Sequence, residues 1–247
     1  MTTMERRDME VLDQTHSVMR SEQHRVITTS DVADGLATGV KLRYVTATRQ
    51  MGRSVDSSEP DVNQAPPERQ PVDGKVYECR RAGDALIVTD ARGGIPPMDE
   101  YEVVAQHMEM LGRASPLADF LTGRTIYVGQ RVSLPSEVAE RLLGMGGQLG
   151  RVTRFDLTLT GVATEQGSAC AVFQADVEAV SNDSSQMRLQ VSGPMVVETD
   201  SCRAVRVELT GPIGTSETRG SYSTKYYLIG TGSMAVSLRS AYRDVAR

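Results

Sequence analysis

Three histidines, three cysteines and one glycine cluster are the parts of this chain that could do chemistry, and their spacing decides which chemistry is open to them. His16 and His24 fall in a stretch that reads as one hairpin. Two imidazoles on neighbouring strands could share a metal ion, yet no nearby cysteine or carboxylate completes a recognisable ligand set. His107 lies beside the apolar stripe of a helix, near Glu100 and Glu109, and is expected at the edge of that helix's contact. Gly144, Gly146, Gly147 and Gly150 resemble a phosphate loop at first sight. Leu149 stands where the last glycine of G-x-G-x-x-G belongs, and the run follows a helix where that motif needs a strand before it and a helix after it. A connector explains these glycines better. No G-x-S-x-G, H-E-x-x-H or C-x-x-C occurs, so nucleophilic and zinc-hydrolase chemistry have no sequence support. The expectation is a non-enzyme with no catalytic residue, metal or cofactor.

The remaining polar features point to surfaces. Cys79, Cys170 and Cys202 are odd in number, so they leave a thiol over if one bridge forms and do not decide the redox compartment. Asn182-Asp183-Ser184 is formally a glycosylation acceptor and reads better as a hairpin tip, where Asn and Asp tolerate turn geometry. Tyr222, Tyr226, Tyr227 and Tyr242 concentrate half of the eight tyrosines in the last strands. An apolar ring with a polar end suits the rim of a groove or an interface, and ordinary strand propensity accounts for the same residues. With 27 basic against 32 acidic residues and a net charge of -5, nothing electrostatic calls for nucleic acid or an anionic membrane. No run approaches the ~20 apolar residues of a membrane span, and Met1 to Glu10 show no signal-peptide core.

The elements that must position these residues are mostly strands. From Arg154 to Leu209 nearly every second residue is apolar: Phe155, Leu157 and Leu159; Ala169, Ala171, Phe173, Ala175, Val177 and Ala179; Met187, Leu189 and Val191; Val205, Val207 and Leu209. Side chains in a strand alternate faces, so this pattern predicts a sheet with one dry side and one wet side. Upstream, strands are expected over Glu10 to Arg20, Gln23 to Val32 and Thr38 to Gln50, with a tight turn at Asp34-Gly35 and with Val45 out of phase with Val40, Leu42 and Tyr44. A hairpin is expected from Lys75 to Thr89, turning at Gly83-Asp84. Tyr101, Val104, Ala105, Met108 and Leu111 recur at helical spacing and stop at Gly112. Shorter helices follow at Pro116 to Leu121 and Pro135 to Leu143, with a brief strand from Ile126 to Val132 between them. Later strands run from Tyr222 to Ile229 and from Met234 to Tyr242. Leu189-x-Val191-x-Gly193-Pro194 is echoed by Val207-x-Leu209-x-Gly211-Pro212, and Gly-Pro is expected to end or bend a strand.

The predicted fold is α+β and mostly antiparallel β: a long curved sheet or half-barrel covered on its apolar face by two or three helices. One domain is expected over 1–247, with a mobile proline-rich loop at 53–72, a helical cover at 97–144 and an antiparallel meander at 151–243. The alanines of the Ala169 to Ala179 strand let another element approach closely. A docked helix and a cavity for an apolar ligand are both compatible with that, and Ala171, Phe173, Ala175, Leu157, Leu189 and Met108 would line the dry space.

The stretches "PLADFLTGRTIYVGQR" (Pro116 to Arg131) and "SGPMVVETDSCRAVRVELTGP" (Ser192 to Pro212), with "L-x-V-T-D" at Leu86 to Asp90, resemble a family of envelope proteins and lipoproteins of myxobacteria and related high-GC bacteria, which has no established activity. The resemblance implies an extracytoplasmic, cell-envelope or periplasmic address, and a curved sheet similar to the half-barrels of lipoprotein carriers. It assigns no functional residue. Two functions remain open. One is a protein that binds a lipid or other apolar small molecule, or docks a protein partner, on the curved sheet. The other is a structural or assembly subunit with a filled core, whose Tyr222 to Tyr227 edge meets a partner.

Overall fold

Asp34 and Gly35 both take positive φ, 51° and 76°, in the computed structural model, as a two-residue hairpin turn with the twist of its flanking strands requires. The turn joins β1 (His16–Ala33) to β2 (Leu36–Ser54). The strands expected separately on either side of Ser21 and Glu22 are therefore one. The structure describes residues 16–54, 66–143, 150–181, 186–221 and 224–241, and the Asn182-Asp183-Ser184 tip and Gly144 to Gly147 lie outside them. The chain divides into two compact units, Met1–Arg113 and Ala114–Arg247, where the sequence suggests a single domain.

The N-terminal unit is a five-stranded antiparallel sheet in the order β1-β2-β4-β5, with β4 at Val76–Ala82, β5 at Ala85–Asp90, and the two-residue β3 (Glu68–Arg69) paired to β2. Val40, Leu42 and Tyr44 alternate inward on β2, and the next buried residue is Ala47. The pairing shifts there: Arg25 faces Tyr44 while His24 faces Thr46. Val45 is the extra residue of a β-bulge, which is why it breaks the phase of the sequence pattern. Helix α1 (Met98–His107) begins after Pro97 with Asp99 and Glu100 in its first turn, where carboxylates favour the exposed N–H groups. Its Val104, together with Met108 and Leu111 just beyond it, packs with Val40, Leu42, Tyr44, Tyr77, Cys79 and Val88. The end of the proline-rich segment joins this unit, because Val72 is fully buried and the Gln70 N–H donates to the Ala47 carbonyl at 2.8 Å.

The C-terminal unit contains a six-stranded antiparallel meander in the order β11-β10-β9-β8-β7-β6. Its strands are β6 (Arg131–Ser133), β7 (Arg151–Glu165), β8 (Ser168–Val180), β9 (Arg188–Glu198), β10 (Ala204–Ser221) and β11 (Thr224–Arg239). Two helices, α2 (Pro116–Leu121) and α3 (Ser136–Leu143), supply Leu117 and Ala139 to the same cluster as Phe155, Leu157, Phe173, Val177 and Met195. The last two expected strands prove to be one, β11, which pairs with β10 without a register shift from Arg206–Arg239 to Ser221–Thr224.

The two-residue period holds from Phe173 to Ala179, where every second residue is buried. It fails at the other end of β8, since Ala169 is exposed and Cys170 is completely buried. Beside the Leu159–Gly161 register shift, Cys170, Val172, Val196 and Val205 form a second small core. The β7–β8 turn is tied to the far strands by Arg206–Glu165 at 2.7 Å and by the Gln166 amide donating to the Ser240 carbonyl at 2.8 Å. Here Met195, Val196 and Val197 are all buried, so the sheet is dry on both sides, which the alternation rule does not contain.

Gly193-Pro194 and Gly211-Pro212 do not end strands either; they lie inside β9 and β10. A Cβ on Gly193 would sit 2.0 Å from the Glu208 carbonyl oxygen, and one on Gly211 would sit 2.0 Å from that of Gln190. These glycines admit a neighbouring backbone, which is the other standing reason for glycine in a strand.

Candidate functional site

Five of the six residues expected to line a dry space come together. Leu157, Phe173 and Ala175 are buried members of the C-terminal core cluster, and Ala171 and Leu189 pack against it half-buried. Met108 does not join them. It belongs to the core of the N-terminal unit, because α1 folds back on the hairpin that precedes it in sequence.

On this face the apolar surface continues past the cluster. Val207 and Leu209 on β10 pair with Leu238 and Val236 on β11, and Met234 pairs with Gly211. Leu209 is 4% exposed, whereas Met234, Val236 and Leu238 are 38%, 37% and 40% exposed. Three apolar side chains on one face of the edge strand thus stay partly wet beside a closed core. Leu228 and Ile229, further along β11, are also exposed. Tyr226 and Tyr227 take backbone positions opposite Arg219 and Thr218, while Tyr222 and Tyr242 lie outside the described residues.

A second cluster, which sequence reasoning placed only as a histidine beside a helix, is the polar network of the N-terminal unit. The Tyr44 hydroxyl lies 2.7 Å from His107 Nδ1, and its ring meets that of Tyr77 edge-on at 6.1 Å. The Tyr77 hydroxyl donates to Glu100 Oε2 at 2.6 Å, and Lys75 Nζ donates to Glu100 Oε1 at 2.7 Å. Burial lowers the His107 pKa to about 4, with the charge of Arg25 acting in the same direction. The ring is therefore neutral at neutral pH and can accept the Tyr44 proton. Burial raises Tyr44 to about 12 against the opposing effect of Arg25. Tyr77 is raised by burial and by the Glu100 carboxylate. In Glu100 burial pushes upward, and the hydrogen bonds from Lys75 and Tyr77 outweigh it and leave the carboxyl below its ordinary range. The network holds the phenols neutral and the carboxylate paired, which suits positioning α1 on the sheet. Burial also pushes the nearby Cys79 thiol up to about 11, against thiolate formation.

The placement of His16 and His24 on neighbouring strands is corrected by the long β1. Both lie on that one strand, and eight residues at about 3.4 Å each separate them by roughly 27 Å. Among the described residues no group of three or more His, Cys, Asp or Glu side chains is placed to hold a metal ion, and no helix is long and apolar enough to cross a membrane. The three cysteines are unbridged. A concavity of 560 Å3 lies on the opposite face of the N-terminal sheet, lined by Asp31, Lys41, Glu78, Arg80 and Thr89 among others. Its Arg80–Asp31 pair, 3.3 Å apart, is exposed on both sides, as expected for charges on a solvated face. None of the six predicted residues lines it. Comparison with protein-family models, with curated proteins and with solved structures finds no match to this chain.

Proposed function

We propose that this protein is a non-enzymatic docking and assembly protein of the cell envelope, which offers the β9–β11 side of its C-terminal sheet to a protein partner. The observation that carries the reading is the unfinished apolar face: Met234, Val236 and Leu238 extend the core surface onto an edge strand and remain more than one-third exposed. A partly wet apolar strip next to a closed core marks an interaction surface. In this reading the curled sheet is a half-barrel with α2 and α3 as its cover. Leu157, Phe173 and Ala175 then serve as filled core and do not line a lipid cavity. The envelope address follows the resemblance at Pro116 to Arg131 and Ser192 to Pro212.

Native mass spectrometry combined with lipid extraction, on protein purified from its own source, tests this. The expected result is a protein assembly with no stoichiometric lipid. A co-purifying apolar molecule at one per chain, displaced by enlarging Ala175 to Leu, would overturn it in favour of a carrier.

A further inference from the structure

The two sheets have four lateral edges, and three of them carry devices that discourage pairing. Strand β5 is six residues long and β6 only three. Strand β1 is long, but it carries Arg20, Glu22, Arg25 and Asp31 and has three register shifts against β2. Short length, charge and bulges are the standard means by which an edge avoids recruiting another strand. Strand β11 has neither short length nor bulges, and its charges, Lys225 and Arg239, stand only at its two ends. It runs for sixteen residues with no register shift against β10, and residues 226–238 contain no charged residue and no proline. Among the described residues no strand pairs with its outer edge, and residues 228–239 are exposed throughout.

We infer that β11 pairs with β11 of a second copy of this chain, antiparallel and centred on Ala235, joining two six-stranded sheets into one. The inference rests on the docking reading above and names its partner. The strand is complementary to itself. Around Ala235 the order Ser233-Met234-Ala235-Val236-Ser237 reads nearly the same in both directions, so Ser233 would face Ser237 of the copy and Met234 would face Val236. A twofold axis perpendicular to the sheet keeps both apolar faces on one side, so the Met234, Val236 and Leu238 strips of the two copies merge into one stripe. No like charges meet: Arg239 would stand opposite Thr231 of the copy and is already held by Glu208 at 3.1 Å. Closed twofold pairing through one self-complementary patch is the commonest form of homo-oligomer. The contact is one strand wide, at the small end of stable interfaces, so the dimer dissociates on dilution with a Kd on the order of micromolar.

Sedimentation velocity of the full chain over a wide concentration range tests this, with Val236→Lys as the edge-breaking variant and Ile27→Lys on β1 as its control. The expected result is a reversible monomer–dimer equilibrium whose Kd rises at least ~10-fold in Val236→Lys, as a charge set into a paired edge should cause, and is unchanged in Ile27→Lys. Far-UV circular dichroism and melting check that both variants fold. Ala235→Cys is the second test, since facing residues of an antiparallel pair bring their Cα atoms to about 4.5–5.5 Å, within reach of a disulfide. Mild oxidation should yield a covalent dimer in Ala235→Cys and none in the parent chain, whether or not Val236→Lys folds. A monomer at every concentration, a dimer indifferent to Val236→Lys, or an Ala235→Cys chain that does not cross-link would overturn the proposal. Those outcomes leave the docking reading standing, which fails separately if a stoichiometric lipid co-purifies.

Discussion

Replacing Gly211 by alanine tests the close approach of β9 and β10, on which the position of β11 depends. The added Cβ would lie 2.0 Å from the Gln190 carbonyl oxygen and 2.9 Å from the Val191 Cα, both backbone atoms, against the 3.4 Å at which ordinary contact begins. The strands must part locally by about 1.4 Å, which stretches ladder hydrogen bonds of about 2.9 Å past their useful length. Overpacking of this kind costs about 1–3 kcal/mol, and one or two weakened hydrogen bonds add about 1 kcal/mol each. The stiffer unfolded chain returns about 0.4–1 kcal/mol. The net expectation is a loss of about 2–3 kcal/mol. Gly161→Ala is the control, because a Cβ there meets nothing within 4 Å and should leave stability within about 0.5 kcal/mol of the parent. The chain has no tryptophan, so urea unfolding is best followed by far-UV circular dichroism. In a chain of two units the shift should be read on the transition that Phe173→Ala also moves, since Phe173 lies in the core of the same unit. Equal stability of Gly211→Ala and the parent, or an equal loss in Gly161→Ala, would refute the close-approach reasoning.

Phe173→Ala should itself cost about 3–5 kcal/mol by loss of buried area and the cavity left behind; a loss below about 1 kcal/mol would mean that the surrounding space is not filled. The His107 pKa is depressed from 6.5 to about 4, so between those values the unfolded chain binds the proton that the folded chain refuses. Stability should therefore fall as pH drops from about 6.5 to about 4, by on the order of 2 kcal/mol after allowance for solvent screening. Melting temperature against pH should show that slope in the parent and a flatter one in His107→Gln. Tyr77→Phe removes one of two donors to Glu100 and should cost about 1.5–3 kcal/mol at neutral pH. The stability Glu100 provides is present above its unfolded pKa and lost as pH falls through its lower folded value; the variant should lose it at a higher pH than the parent, as acid titration of folded signal would show.

Local patterns were legible in this sequence because they depend on neighbours in the chain. Alternation placed the C-terminal meander and the Phe173 to Ala179 run, Pro and Gly bounded α2 within Pro116–Leu121, and Asp34-Gly35 marked the β1–β2 turn. The phase break at Val45 is legible in the sequence, whereas its cause, the bulge opposite His24 and Arg25, is not. What tertiary structure decided was which surfaces meet. Met108 sits on a helical stripe that would fit either core; chain return onto the preceding hairpin put it in the N-terminal one. The burial of Cys170, Val196 and Val205 depends on residues brought together from three strands, beside a β7–β8 turn tied to Arg206 and Ser240, and no single strand encodes it. The glycines of the two Gly-Pro pairs read in sequence as strand ends or bends, because a lone strand cannot show that another backbone passes within 2.0 Å of a missing Cβ. The uncharged run of β11 is likewise legible in the sequence, but only strand order shows that among the described residues it lies on a sheet edge.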